Sequence, residues 1–462
     1  MKIKNLHLKN FRCFENFDIE FNTGDENHGG LTVLVAKNGE GKTAILDAIN
    51  VAWGPFIGKM PNSTGAGFDK NDATVHNNQK TGNPCLAALF EDNAVGRINL
   101  LSDTLEQDFN VYRELTLSKT KPTTTIKDAK PLTELALYLF KHENDPVLWP
   151  LIAYYGDSRL WASSRLTAEK KKALLYQERA YGYAFSTYPK IGHKEFEKWF
   201  VDLSNAIKDA KDMSENGLNK VVDKDLNRFL MLDKLLKDAL ADALKVTGWT
   251  SLKYISWKKM IYATNANTGD SVPWTSLSAG NRIVIGLVAD IAHRCCKLNP
   301  FAGEDALLKT PGIVLIDEIE LHLHPSWQQQ ILPTLQKIFP QIQFIVTTHS
   351  PQVISSIPAE CVRILDNGII HYTEGSEGAD SSRILKRIFG TDAFPKNNPA
   401  RIKLQEYMDL VLNQKQWASQ RALELRKELD SIYKGEEPLL DEADLFIENE
   451  EWEKQNSEKE EI

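Results

Sequence analysis

The residues with the plainest chemistry are Lys42 and Thr43, which close the run AKNGEGKT at 36 to 43. Its spacing is that of a phosphate-binding loop. Glycines in such a turn let successive backbone N–H groups converge on phosphate oxygens, and the helix that follows adds its positive N-terminal end. Lys42 is placed to reach the β- and γ-phosphates of ATP, and Thr43 to ligate Mg2+. The run Lys37, Asn38, Gly39, Glu40, Gly41, Lys42, Thr43 and Ala44 is therefore the candidate ATP site. Ala36 stands where a first glycine is expected, which matters only if its φ must be positive.

A second constellation lies far downstream. The run GIVLIDEIE ends in Asp317 and Glu318, and paired carboxylates at the exposed end of a parallel strand suit a second magnesium ligand and a water-activating base. Asp317 would hold Mg2+, largely through water, while Glu318 orients and deprotonates the water that attacks the γ-phosphate in line. An acidic pair merely facing solvent predicts nothing about a Gly-Lys-Thr loop on another strand, whereas the catalytic reading requires one. TTHSP then puts His349 at the end of a further strand, as a candidate hydrogen-bond donor to the γ-phosphate. His322 and His324 have the His-x-His spacing of some metal sites, but no partner ligands accompany them and no metal is expected there. In WTSLSAGNRIVIGLVADIAHR, residues 274 to 294, a small polar turn directly precedes a long apolar helix pattern. Ser278 is a good cap for that helix.

These residues need elements to hold them. In IKNLHLKNFRCFENFDIEF the apolar positions Ile3, Leu6 and Leu8, then Phe17, Ile19 and Phe21, indicate two half-buried strands. Leu31 to Val35 is a continuous apolar strand that enters the glycine turn, followed by the helical KTAILDAINVAWG. GIVLID at 312 to 317 and FIVTTHS at 344 to 350 are two more such strands, separated by the helical PSWQQQILPTLQKIF. Continuous apolar strands alternating with helices predict a central parallel sheet covered on both faces. Polar tracts at 58 to 84 and 118 to 131 read as surface segments, and 163 to 250, rich in Lys, Glu, Leu and Ala, as a helical lid or arm. Beyond Pro399 the positions Leu404, Met408, Val411 and Leu412, then Leu425, Leu429 and Ile432, suggest a helical hairpin.

Composition sets limits around this core. The net charge of −8 is uneven, because residues 435 to 462 hold twelve Asp or Glu against Lys454 and Lys459, leaving a body with 53 basic and 51 acidic residues. Bulk charge therefore neither promises nor excludes DNA or another nucleic acid as a partner, and the acidic end reads as a solvated tail. No segment approaches the ~20 uninterrupted apolar residues of a membrane span, so a cytoplasmic protein without membrane attachment is expected. The five cysteines lack any Cys-x-x-Cys spacing, which fits reduced thiols.

In this order the motifs resemble the ABC-class ATPases of the SMC, RecF and overcoming-lysogenization type. LKNFRCFENFDIEF is similar to their opening strand pair, which implies that Arg12 lies near the nucleotide. VAKNGEGKTAILDAI is similar to their Walker A motif, LSAGNR to their signature, IVLIDEIELHLHP to their Walker B and D-loop, and FIVTTHSP to their switch histidine. The resemblance implies an α/β fold: an ABC-type ATPase head with a mixed central sheet, helices and an antiparallel β subdomain, plus a helical insertion and a C-terminal helical hairpin. It also implies a homodimer or higher homo-oligomer that closes head to tail. Ser278 and the N–H groups of Ala279 and Gly280 would then grip, in trans, the γ-phosphate held by the partner's P-loop. Ala279 and Asn281 stand where the family more often has Gly and Gln, and its glutamine after Walker A has no assignable counterpart.

LIAYYGDSRLW at 151 to 161, RAYGY at 179 to 183, LHLHPSWQQQILP and GADSSRILKRIFG at 378 to 390 resemble, more narrowly, the PtuA-type ATPases of Septu and retron anti-phage systems. That implies assembly with a separate HNH-type, PtuB-like nuclease that degrades nucleic acid. The expected organisation is an N-terminal lobe at 1 to 160, a mainly helical insertion at 161 to 270, a C-terminal lobe at 271 to 395, a helical hairpin at 396 to 434 and the acidic tail at 435 to 462. The 235 positions between Lys42 and Ser278 disfavour a transporter subunit, and the insertion lacks the heptads and Cys-x-x-Cys of a zinc-hook coiled coil. LFIENEE at 445 to 451 is similar to the start of a Toprim domain without the Asp-x-Asp that follows, so no intrinsic nuclease is expected. A RecF- or SMC-like DNA-repair ATPase, or a slow nucleotide-sensing scaffold, remains as the alternative.

Overall fold

The computed structural model describes residues 1–460 except 26, 62, 77–78, 81, 92–107, 118–122, 126, 158–178, 189–192, 216–219, 393–394 and 396. Residues 158–161 of LIAYYGDSRLW lie outside the described residues. The chain divides into two compact units, Met1–Ile384 and Leu385–Ile462.

The first unit is built on a six-stranded sheet in the order β16-β15-β3-β14-β13-β9. Its strands are β3 (Leu31–Ala36), β9 (Leu151–Tyr155), β13 (Gly312–Ile316), β14 (Ile342–Thr348), β15 (Val362–Asp366) and β16 (Ile369–His371). All neighbours run parallel except the β15–β16 hairpin. Every residue of β3, β9, β13 and β14 is buried, as expected for a parallel sheet covered on both faces. The register pairs Ile316 with Tyr155 and with Val346, and Thr348 with Val35. Four strands therefore end along one edge, where ligands bind in such sheets.

A second, antiparallel sheet has the order β2-β1-β6-β7-β8: β1 (Lys2–Phe11), β2 (Phe14–Glu20), β6 (Cys85–Glu91), β7 (Phe109–Thr116) and β8 (Thr123–Thr124), while β4 (Val75–His76) and β5 (Gln79–Lys80) pair separately. Ile3 and Leu6 are an odd number of residues apart yet both buried. A register shift between Ile3 and Asn5 returns them to one face.

Among the described residues the helices of this unit are α1 (Lys42–Ile57), α2 (Lys130–Lys141), α3 (His193–Glu215), α4 (Lys220–Thr247), α5 (Ala279–Leu298) and the short α6 (Ala306–Lys309), α7 (Pro325–Gln328), α8 (Ile331–Ile338) and α9 (Pro351–Ser355), and α10 (Ser381–Arg387) crosses its boundary. The segment expected to be mainly helical up to residue 270 departs from that reading at its end. Residues from Trp249 onward form an antiparallel sheet of β10 (Trp249–Ile255), β11 (Met260–Asn265) and β12 (Ser271–Pro273). Trp, Thr, Ile and Tyr dominate WTSLKYI and MIYATN, residue types that favour a pleated strand over a helix.

The second unit contains α11 (Pro399–Met408), prolonged by a π turn over Asp409–Asn413, then α12 (Gln420–Tyr433) and α13 (Pro438–Glu460). The expected hairpin is present, but the expected solvated acidic tail is instead a third helix. Its Leu440 and Ala443 are buried with Leu404, Tyr407, Val411, Leu425 and Leu429, and the guanidinium of Arg426 grips the Asp444 carboxylate. Apolar residues at helical spacing, Leu440, Ala443 and Ile447, outweigh the acidic ones between them. Among the described residues no helix is long and apolar enough to cross a membrane.

Candidate nucleotide site

The loop after β3 carries the first group of candidates. Ala36 ends the strand and is not among the positive-φ residues, so alanine suffices there. Gly39 and Gly41 do adopt φ of 88° and 104°, which favours glycine. Gly41 also has no room for a side chain: a Cβ would stand 2.5 Å from Cys13 Sγ and 2.6 Å from Phe14 Cζ. The β1–β2 turn thus backs the loop. A Cβ on Gly39 would meet nothing within 4 Å, so this part of the turn opens on free space. Lys37 and Asn38 are exposed, Ala44 is buried in α1, and Glu40 accepts the Asn367 N–H at 2.9 Å.

Lys42 is buried, and its Nζ donates to the carbonyls of Ala36 at 3.0 Å and Lys37 at 3.4 Å. Burial lowers its pKa, opposed by Asp317, Glu318, Glu320 and Glu40. Thr43 is exposed, and its hydroxyl donates to Asp317 Oδ2 at 2.9 Å. Asp317 also accepts Thr347 Oγ1 on its other oxygen at 2.5 Å, while its N–H donates to Tyr155 O at 2.8 Å. A hydroxyl and a carboxylate held against each other are hard oxygen donors of the kind magnesium takes.

Glu318 has a left-handed backbone, φ 48°, a strained state for a non-glycine residue. Its N–H donates to Thr347 Oγ1 at 2.8 Å, and the next N–H, Ile319, to Thr347 O at 3.1 Å. Burial raises the Glu318 pKa, with Glu320, Asp317 and Asp157 adding to the rise and Lys42 opposing it. Glu320 fixes the neighbouring strand end, accepting the His349 N–H at 2.5 Å and Thr348 Oγ1 at 2.8 Å. Burial and Lys42 lower the pKa of the His349 ring, with Glu320 and Asp317 opposing. Gln328 ties the intervening segment down, donating to Leu323 O at 2.9 Å and accepting Ser350 Oγ at 2.6 Å. Lys42, Thr43, Asp317, Glu318 and His349 are thus drawn to one sheet edge. Sequence reasoning missed Thr347, Glu320, Asp157 and Gln328; the hydroxyl pair in VTTHS and the third carboxylate in DEIE were the available signals.

Arg12 is bound to carboxylates. Its Nε donates to Asp72 at 2.9 Å and NH1 to Asp47, on α1, at 2.5 Å. Burial works against its charge, but the two carboxylates more than offset this and raise its pKa. It pins α1 to the β1–β2 turn.

Ser278 is exposed at the N-cap of α5, where its Oγ accepts the Asn281 N–H at 3.2 Å. Gly280 marks a close approach, since a Cβ there would lie 2.4 Å from His322 O and 3.2 Å from the Trp327 ring. His322, at φ 63°, belongs to the segment just past Asp317, so α5 begins against the loop that leaves β13. His324 caps α7, accepting the Ser326 N–H at 3.3 Å. Further along α5, Asp290 accepts Tyr155 OH at 2.6 Å and Arg294 Nε at 2.8 Å.

A family model described as an AAA domain matches residues 5–244, and one described as an AAA ATPase domain matches residues 163–354. The chain belongs to the AAA-domain ATPases. "Retron Ec83 probable ATPase" of Escherichia coli is 30% identical over 98% of this chain and 88% of its own length. "Septu protein PtuA" of Bacillus mycoides (strain KBAB4) is 24% identical over 79% of this chain and 40% of its own. Among solved structures, an SMC head bound to the C-winged helix domain of ScpA is 16% identical, covering 81% of this chain and 98% of its own with a TM-score of 0.45. The protein is an ATPase of the retron type. Its parallel sheet, P-loop and antiparallel β sheet lie together in the first unit.

Proposed function

We propose that two copies of this ATPase close head to tail around magnesium-ATP, and that the cycle governs an associated HNH-type, PtuB-like nuclease in anti-phage defence. The observation that carries the reading is the division of the motifs. The P-loop, Asp317, Glu318 and His349 share one hydrogen-bonded sheet edge, while Ser278 is an exposed N-cap at the start of α5. A helix N-terminus with an exposed hydroxyl suits the γ-phosphate of a nucleotide held by another copy.

Backbone N–H groups of residues 37 to 44 cradle the phosphates, and Lys42 exchanges its carbonyl contacts for the β- and γ-phosphate oxygens. Magnesium, when bound at Thr43 and Asp317, supplies positive charge to the leaving and transferring phosphates. Glu318 takes a proton from water as the water oxygen bonds to the γ-phosphorus. The bond from that phosphorus to the bridging oxygen breaks, leaving ADP and phosphate. His349, neutral because its pKa is lowered, donates an N–H to the γ-phosphate.

Glu318→Gln should bind ATP, lose turnover and accumulate as a dimer in sedimentation velocity with ATP. Adding Ser278→Arg should leave ATP binding intact and return the protein to monomer; a Glu318→Gln, Ser278→Arg dimer would refute the closure. For the nuclease partner, deletion of 435–462 is uninformative because it strips Leu440 and Ala443 from the core of the second unit. Leu445 and Trp452, 61% and 66% exposed on α13, are the better probes. Glutamate at both should abolish co-purification with a co-expressed HNH protein at unchanged melting temperature, and retained association would remove this surface.

A further inference from the structure

The hairpin of β10 and β11 stands out by charge. From Trp249 to Gly269 the chain has three lysines and no Asp or Glu, although Asp and Glu number 63 of its 462 residues. The register places Lys253 opposite Tyr262 and Ile255 opposite Met260 on one face, whose opposite face buries Leu252, Ile261 and Ala263. Along the outer face Ser251, Thr264 and Ser271 link their hydroxyls at 3.2 and 3.1 Å. At the turn Trp257 is 81% exposed. Lys258 Nζ lies 4.9 Å from the Trp257 ring and 4.8 Å from the Tyr262 ring. Among the described residues no carboxylate forms a salt bridge with Lys253, Lys258 or Lys259.

An exposed tryptophan costs hydration free energy, and three cations without counter-charges repel one another. A ligand that relieves both must offer a flat apolar face and a repeating negative charge. Unpaired nucleotides offer these together: bases stack on aromatic rings while lysines follow the phosphates. A duplex hides its base faces, and an anionic membrane or acidic peptide offers charge without a ring to stack.

We propose that the outer face and turn of the β10–β11 hairpin bind single-stranded nucleic acid, with Trp257 stacking on a base and Lys253, Lys258 and Lys259 on the backbone. The surface is independent of the nuclease partnership. It also adjoins the signature: Lys259 and Met260 line a cavity of about 430 Å³ together with Trp274 and Thr275, and Trp274–Ser276 leads directly through Leu277 to Ser278. Glu197, a carboxylate bordering that cavity, is engaged by Trp274 Nε1 at 2.5 Å.

The full-length protein is titrated against fluorescein-labelled 20-mers by anisotropy, using single- and double-stranded DNA and RNA over a salt series. Either single strand should bind more tightly than its duplex. Trp257→Ala should weaken single-strand binding about ten-fold, with basal ATPase and melting temperature unchanged. Lys258→Glu with Lys259→Glu should weaken it further and lower the slope of log affinity against log salt by at least about 1.4, the contribution of two lost phosphate contacts. Preference between DNA and RNA identifies the source without altering the proposal. Wild-type affinity in both variants, equal affinity for single and double strands, or binding only to phosphatidylserine vesicles would overturn it.

Discussion

Gly280→Ala isolates the placement of the signature from nucleotide chemistry. A Cβ at 280 would lie 2.4 Å from His322 O, and 3.4 Å is the beginning of ordinary contact. The start of α5, or the carbonyl it meets, must therefore move by about 1 Å, and the Trp327 ring, 3.2 Å away, blocks an easy escape. Overpacking of this kind costs ~1–3 kcal/mol, while alanine in a helix regains ~0.5–1 kcal/mol over glycine, so the net loss is about 1 kcal/mol. The functional loss should be larger, because a 1 Å misplacement of a positioning element can cost ~100-fold in rate. Equilibrium binding of a fluorescent ATP analogue and steady-state phosphate release separate the two effects. The variant should bind ATP as the wild type does, melt a few degrees lower and turn over about 100-fold more slowly. Turnover within two-fold of wild type would show that the approach of α5 to the His322 segment is not needed. A parallel loss of ATP affinity would place Ser278 in service of its own P-loop and refute action on a partner's nucleotide.

Thr347→Val removes the hydroxyl that donates to Asp317 and accepts the Glu318 N–H, so kcat should fall at least ten-fold and stability by ~1–3 kcal/mol, with Thr347→Ser retaining both. Glu318 acts deprotonated, so kcat/KM should be full above its raised folded pKa and fall as pH drops through it. Glu320→Gln removes one of the charges that raise it and should move this acid limb to lower pH, and an unmoved limb would dismiss Glu318 as the base. His293 is half-buried with its Nε2 shut off from solvent, and burial lowers its pKa to about 3, with Asp290 opposing and Arg294 and Lys297 adding. The unfolded chain, with an ordinary histidine near 6.5, binds the proton first, so stability is lost as pH falls below about 6.5 and continues to fall toward 3. Between pH 6.5 and 5 the wild type should lose about 2 kcal/mol more than His293→Phe in urea unfolding; equal losses would contradict a neutral imidazole.

What could be read in advance follows from how local each signal is. Leu31 to Ala36, GIVLI and FIVTT announce buried strands because each is a continuous apolar run, and Lys42, Thr43, Asp317 and His349 follow at fixed offsets from those strand ends. Thr347 and Glu320 were hidden because their importance lies in register: Thr347 matters only once β14 lies beside β13 and its hydroxyl meets both Asp317 and the Glu318 N–H. For Arg12 the family resemblance implied only a place near the nucleotide, and its bond to Asp72 joins residues 60 apart and has no local signature. The hairpin at Trp249 to Asn265 was obscured because the two amphipathic helices before it set the apparent period of the whole segment. The acidic C-terminus misled through composition, since twelve carboxylates mask the Leu440 and Ala443 positions that commit it to a helix.

One motif acquires a physical meaning only from the fold. LIAYYG places Tyr154 and Tyr155 on opposite faces of β9, as neighbours in a strand must be. Tyr154 hydrogen-bonds Asp47 on α1, which Arg12 also holds, and Tyr155 donates to Asp290 on α5, which Arg294 also holds. The strand between them lends Tyr155 O to the Asp317 N–H. One edge strand is thereby fastened to the P-loop helix on one side, the signature helix on the other and Asp317 beside it. Asp290 and Arg294 lie on the same helix, so a displacement of α5 would carry the pair with it and act on the Tyr155 hydroxyl and on the carbonyls of Gly182 and Ala184 that Arg294 holds. Through Tyr155 such a displacement would reach β9, just beyond whose end Asp157 is one of the carboxylates that raise the Glu318 pKa. Under the proposed closure, the same tyrosines that anchor the sheet edge couple α5 to Glu318.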